Sequence, residues 1–306
     1  MTEINFPAVV TDSLCKSYHN THAVDNLSLE IKKGDFFGLL GPNGSGKTTT
    51  IHILSTLIKP TSGNLKIAGL DPAKDPIKIR KKVGLVFQET TIDRSLSLLQ
   101  NLEFAGQLHG LSKKTIKKTA EPLINLFNLE QHIKKPIGAL SGGMKRAVDI
   151  IRGIIHKPDI LILDEPTIGL DLPNRLKIWK FIHELRKQSG MTVLLTTHYL
   201  EEAESCDSVA FLDSGNIIAQ GSPKHLISNL ANHIIELQGS DNAIKHVESV
   251  LGKPLQGQGL TYFKSVGKDF ETLTQLHKSI QGDVDMWRVR KPNLNDVFLW
   301  TTLGSR

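Results

Sequence analysis

Eight residues, GPNGSGKT from Gly41 to Thr48, fit the pattern G-x-x-x-x-G-K-[ST]. Their types suit one task. Glycines let successive backbone N–H groups turn inward around a phosphate, and a helix starting behind them adds the positive end of its dipole. Lys47 can reach β- and γ-phosphate oxygens, and the Thr48 hydroxyl can join the shell of a Mg²⁺ ion. A second stretch, DILILDEP at 159–166, supplies the acidic half of a nucleoside triphosphatase site. Its apolar run buries a strand and delivers Asp164 to the end, where a carboxylate can hold the metal shell. Glu165 follows, set to take a proton from an attacking water.

Two further side chains close apolar strands. Gln88 ends VGLVF, and its amide could ligand Mg²⁺ or hold the water, although a lone glutamine there can also simply be solvated. His198 ends MTVLLTTH, aimed as a hydrogen-bond donor to a γ-phosphate; most of the 12 histidines need no role beyond solvation or packing. LSGGMKRA at 140–147 is a different kind of site. Ser141 as N-cap, with the N–H groups of Gly142 and Gly143, forms a helix start open to an anion. It is a second phosphate cradle on a chain that already holds a stronger one.

Positioning these residues requires strand ends and helix starts to meet. The first 35 residues alternate as β structure, with Leu27, Leu29 and Ile31 on one face. FFGLL then feeds the glycine loop, and a helix is expected from near Gly46 through TTTIHILSTLI to Pro60. LKIAG and VGLVF read as strands, and residues 96–134 carry apolar residues at helical spacing. Beyond DILILDEP come a helix from about Asn174 to Gln188, the strand MTVLLTT, a short acidic helix YLEEAE and a hairpin turning at DSG. This alternation predicts a largely parallel sheet with an antiparallel part beside it. Past residue 230, HIIELQ, AIKHVESVL, LTYFKS, TLTQLHKSI, DMWRVR and NLNDVFLWTT form a small β/α appendage.

A chain of 306 residues accommodates a large domain plus a smaller one. The net charge of +6 allows an acidic partner but is too small an excess to indicate one. Cys15 and Cys206 lack the spacing of a disulfide framework or a zinc site, which fits a reducing cytosol. No secretory leader is expected at the N-terminus, and no apolar run approaches the length needed to span a bilayer. SKKTIKK at 112–118 reads as a solvated helix face.

Taken in order, Tyr18, GPNGSGKTT, Gln88, LSGGMKR, ILILDEPTIGLD and TTH resemble the nucleotide-binding subunit of ATP-binding-cassette (ABC) transporters, over roughly residues 8–225. The resemblance implies an α/β fold: a P-loop NTPase of the ABC cassette type, with a RecA-like core, an antiparallel β part and a helical insertion, plus a small C-terminal β/α extension. It places an ABC ATPase domain at 1–228, its helical insertion at about 90–158, and an accessory domain at 229–306.

The same resemblance makes Tyr18 the aromatic under adenine. Gly41, Pro42, Asn43, Gly44, Ser45, Gly46, Lys47, Thr48 and Thr49 become the Walker A loop, and Gln88 the Q-loop residue. Asp164 becomes the Walker B aspartate, Glu165 the catalytic glutamate, Asp171 the D-loop residue and His198 the switch histidine. ATP and Mg²⁺ are the implied ligands. Ser141, Gly142 and Gly143 belong to the signature that, in such proteins, caps the γ-phosphate held by the Walker A loop of a second cassette subunit. Met144 stands where the family commonly has glutamine and is expected to pack.

Met144 with its Lys-Arg, QETTIDRSLSLLQNL and the closing RKPNLNDVFL are similar to the branch of daunorubicin-resistance and nodulation-factor exporters. The implied protein hydrolyses ATP, dimerises with an identical chain and drives export through a separate integral membrane permease. It sits peripherally on the cytoplasmic face of the plasma (inner) membrane, with no nucleic-acid partner. A soluble cassette ATPase acting on nucleic acid, the ribosome or assembly is the alternative, and the single Walker A sequence weighs against it.

Overall fold

The computed structural model describes residues 6–303 except Gln258 and Asp269. Two units divide the chain, Met1–His198 with Cys206–Ile217, and Tyr199–Ser205 with Ile218–Arg306.

The larger unit opens with β1 (Val9–Tyr18) and β2 (Thr21–Ile31), an antiparallel pair that buries Leu27, Leu29 and Ile31 on one face as the alternation predicts. β3 (Phe36–Leu40), buried throughout, leads into α1 (Lys47–Leu54). α1 stops short of Pro60. Thr56 adopts a left-handed backbone (φ 61°), and the N–H groups of Leu57 and Ile58 both return to the His52 carbonyl, closing the helix a turn early. β4 (Ser62–Ile67) pairs with β1 to complete a three-stranded antiparallel sheet.

α2 (Pro76–Lys82) and β5 (Val83–Val86) precede the helical layer. There α3 (Leu98–Leu108) carries a Ser97/Gln100 capping box, α4 (Lys113–Leu126) is capped by Ser112, and α5 (Gly142–Ile154) by Ser141. Leu98, Leu102, Ile116, Ala120, Ile124, Val148 and Ile151 form its core. β6 (Ile160–Asp164) is followed by α6 (Leu172–Ser189), then β7 (Thr192–Thr197). α7 (Leu200–Ala203) is the short acidic helix, and β8 (Ser208–Asp213) turns at Ser214 and Gly215, both left-handed, into β9 (Asn216–Gly221).

The main sheet runs β5-β6-β7-β3-β8-β9, and its pairings β5–β6, β6–β7, β7–β3 and β3–β8 are parallel. Parallel pairing puts the carboxyl ends on one edge. Leu40 stands beside Thr197 and Asp164 beside Thr196, so the segments leaving β3, β5, β6 and β7 emerge together.

The ends of α3 and α5 are joined by two stacked imidazoles, His109 and His156, with centroids 3.7 Å apart and planes within 5°. Burial, and then the charge of the neighbouring His109, lower the pKa of His156 to about 4. An unfolded imidazole titrates near 6.5. The unfolded chain therefore takes up a proton that the folded chain refuses, so this contribution is complete above pH 6.5 and is lost as the pH falls toward 4. It amounts to roughly 3 kcal/mol at most. His156→Phe is expected to flatten the fall in melting temperature between pH 7 and 4.5, measured by calorimetry.

The smaller unit takes in α7 and contains α8 (Pro223–Leu230), β10 (His233–Gly239), α9 (Asp241–Leu251), β11 (Leu255–Gly257), β12 (Leu260–Ser265), α10 (Phe270–Ile280), β13 (Val284–Arg290) and α11 (Leu294–Thr302). Sheet order β11-β12-β10-β13, antiparallel throughout, with β-α-β-β-α-β succession is ferredoxin-like. Ile235, Leu237, Val247, Phe263 and Leu273 fill its core. α8, which the sequence reading assigns to the larger domain, packs on α11 within this unit.

The closing RKPNLNDVFL is a folding device here. Arg290 donates to both oxygens of the buried Asp296 carboxylate (2.6 and 2.8 Å) and to Glu236 (2.6 Å), while Asn293 and Asp296 cap α11 reciprocally. The Asp296 hydrogen bonds, more than any other contact, hold the Arg290 pKa above its ordinary value. Asp296→Ala removes the bidentate partner but leaves Arg290 on Glu236, and is expected to cost about 1.5 to 3 kcal/mol. Calorimetry should show the accessory unit melting earlier, with the ATPase unit's transition unchanged.

Candidate functional site

The glycine loop leaves β3 in a conformation only glycine accepts at two places. At Gly41 (φ 153°) a Cβ would lie 2.2 Å from the Leu212 carbonyl oxygen, and at Gly46 (φ 106°) 2.3 Å from that of Ala23. Lys47, 6% exposed, folds back over the loop and donates to the carbonyls of Gly41 (2.8 Å) and Pro42 (3.0 Å). Burial lowers its pKa, against the opposing pull of Glu165 and Asp164. The buried Ser45 hydroxyl has no hydrogen-bond partner among the described residues.

Asp164 ends β6, 3% exposed, and accepts from the Thr196 hydroxyl of adjacent β7. Glu165 then takes a left-handed backbone (φ 43°), unusual for a residue with a side chain. Its N–H is held by Thr196 O and Oγ1, each at 3.1 Å. This turn aims the carboxylate away from the sheet, and its Oε2 lies 3.1 Å from His198 Nδ1.

Tyr18, Asn43, Gly44, Gly46, Lys47, Thr48, Thr49, Gln88, Glu165 and His198 line one cleft of about 810 Å³, with Ala23 and Ile168 completing the wall. Gly41, Pro42 and Ser45 lie in the loop that shapes it, and Asp164 sits at the sheet edge next to Glu165. The remaining candidates lie elsewhere. Ser141 caps α5 by accepting from Met144 N–H (3.3 Å), and Ser141 and Gly143 line a separate hollow of about 220 Å³. Asp171 caps α6 by accepting from Asn174 N–H (2.9 Å). Met144 packs against the helical core.

Sequence reasoning missed Arg146 and Thr196. Arg146, 4% exposed, donates to carbonyls of residues at the ends of both β5 and β6. The available signal was its place on the apolar face of α5 beside Ala147, Ile150 and Ile154, where a lone arginine needs a buried partner.

A phosphate loop, an acidic strand end and a histidine gathered on the carboxyl edge of a parallel sheet define a P-loop nucleoside triphosphatase. Residues 24–168 match the ABC transporter family profile. The nodulation-factor export ATP-binding protein I of Ralstonia nicotianae is 37% identical, over 97% of this chain and 94% of its own. The daunorubicin-resistance ATP-binding protein DrrA3 of Streptomyces coeruleorubidus is 33% identical, over 98% and 97%. Among solved structures, CbiO1 of Clostridium perfringens, part of an ABC transporter complex, superposes with TM-score 0.67 at 30% identity, over 73% of this chain and 91% of its own. A dimeric ATP-binding cassette in a post-hydrolysis state with ADP and Pi gives 0.65 at 29%, over 70% and 98%. The chain belongs to the ABC transporter ATP-binding protein family, exporter type, and is an ATPase.

Proposed function

We propose that two copies of this chain pair head to tail around two ATP molecules and power export through a separate membrane permease, from the cytoplasmic face of the membrane. One observation carries the reading: the cleft gathers the residues that can hold and hydrolyse a triphosphate, while Ser141, Gly142 and Gly143 remain outside it. A phosphate cradle apart from its own chain's cleft is explained by the ATP of a second chain.

Tyr18 stacks on adenine. The Walker A N–H groups and Lys47 hold the β- and γ-phosphates, and the partner's signature and Asp171 complete the enclosure. Asp164, Thr48 and Gln88 offer a carboxylate, a hydroxyl and an amide, an all-oxygen donor set suited to Mg²⁺. Once bound there, the ion neutralises charge on the phosphate oxygens. Glu165 takes a proton from water as its oxygen attacks the γ-phosphorus and ADP leaves. His198, whose Nδ1 lies 3.1 Å from Glu165 Oε2, orients that carboxylate and faces the cleft that would hold the γ-phosphate.

The permease has a candidate seat. A groove of about 600 Å³ is lined by Leu57, Ile77, Phe104 and Leu108, each at least half exposed, and by Arg80 and Lys81. No helix among the described residues is long and apolar enough to cross a membrane. An apolar groove with a basic rim suits a short amphipathic helix bearing acidic residues. Phe104→Asp is expected to abolish co-purification of the permease while the free chain's ATPase rate stays within about twofold, since exposed substitutions rarely disturb a fold. Retained co-purification would remove the groove from the account.

A further inference from the structure

Arg146 lies six residues beyond the start of the signature, wholly inside the protein. Its Nε donates to Pro166 O (2.5 Å), its Nη1 to Phe87 O (2.5 Å) and Gln88 O (3.4 Å), and its Nη2 to Asp164 O (3.3 Å) and Glu165 O (3.2 Å). These are the carbonyls at the carboxyl ends of two adjacent parallel strands, where the sheet ladder stops supplying donors. Asp149, fully buried one turn along α5, faces the guanidinium at 3.5 Å and is also held by Arg152 at 2.9 Å. The planar fork thus fastens the helix that presents Ser141–Gly143 to the segments carrying Gln88 and Glu165 of the same chain.

We propose that Arg146 is a positioning residue: it converts engagement of the signature by a partner's ATP into the working placement of Gln88 and Glu165 in its own cleft. The inference rests on the head-to-tail reading. α5 is a rigid rod with an external ligand at its first turn and a five-carbonyl clamp in its second. A movement of its start must displace or tighten the clamp, because the one guanidinium spans both strand ends. Arg146 touches no substrate and acts through backbone atoms.

Charge and bridging can be separated. Arg146→Lys keeps the cation beside Asp149, so the fold should survive, but a single ammonium cannot span carbonyls on two strands. Arg146→Met removes both. The readouts on the full-length chain are the ATP Kd of the single chain, kcat, KM, melting temperature and ATP-dependent dimerisation in a Glu165→Gln background. For Arg146→Lys the expected result is Kd within about twofold, a near-native melting temperature, an ATP-stabilised dimer, and kcat reduced roughly 10- to 100-fold, the scale of an ångström-level misplacement. Arg146→Met should lose at least as much kcat. If Arg146→Lys keeps kcat within about threefold, or loses kcat, Kd and melting temperature together, Arg146 is only a structural buried charge and the proposal falls. If Arg146→Met does not fold, the lysine variant alone decides. If Glu165→Gln by itself does not dimerise with ATP, the head-to-tail reading is what fails.

Discussion

Glu165→Gln lowers ATP turnover by roughly 100- to 10,000-fold and leaves ATP binding by the single chain within about twofold. The substitution is nearly isosteric, so the left-handed backbone held by Thr196 survives, and the side chain can still accept from His198. What disappears is the capacity to take a proton from water while its oxygen attacks phosphorus. Lys47, Thr48 and the glycine loop, which line the cleft proposed to hold the triphosphate, are untouched. Steady-state phosphate release with parallel titration of a fluorescent ATP analogue checks both halves. A turnover loss below tenfold would assign the base elsewhere.

Gly142→Asp tests the other half of the site with little risk to the fold. Gly142 is the first residue of α5, and nothing lies within 4 Å of where its Cβ would be. A carboxylate at a helix N-terminus even adds about 0.3 to 1 kcal/mol of favourable dipole interaction. The damage falls on the neighbour. If the partner's γ-phosphate sits about 4 Å away in the proposed dimer, the added negative charge is expected to cost about 4 kcal/mol at an effective dielectric of 20, on the order of a 1,000-fold loss in kcat/KM. Single-chain ATP affinity should stay unchanged. Gly142→Asn, similar in shape and uncharged, should lose far less, and equal losses in the two variants would point to steric obstruction.

The geometry of the proposed phosphate loop was legible because it constrains residue types locally. Gly41 and Gly46 stand where backbone atoms leave no room for a side chain, and Lys47 and Thr48 follow at fixed spacing. The apolar runs of β3, β6 and β7 announced buried parallel strands, and their shared carboxyl edge brought Asp164, Glu165 and His198 beside the loop. Interactions between distant segments were hidden. Arg146 is one charge in a basic stretch until β5 and β6 bring their carbonyls to it. The early end of α1 depends on the left-handed Thr56, whose carbonyl and hydroxyl accept from Arg80. The ferredoxin-like strand order of the small unit follows from pairings that short alternating segments do not specify. Arg290, Glu236 and Asp296 were visible as charges, but their convergence required the folded sheet.

The central claim is that one ATP is held between two chains, by the Walker A loop of one and the signature of the other. Its most direct test is the light-scattering mass of Glu165→Gln with saturating ATP and Mg²⁺, beside the same chain also carrying Gly142→Asp. The account predicts a doubled mass for the first, and the mass of a single ATP-loaded chain for the second. A Glu165→Gln chain that binds ATP and stays single, or a double variant that dimerises equally well, would contradict it.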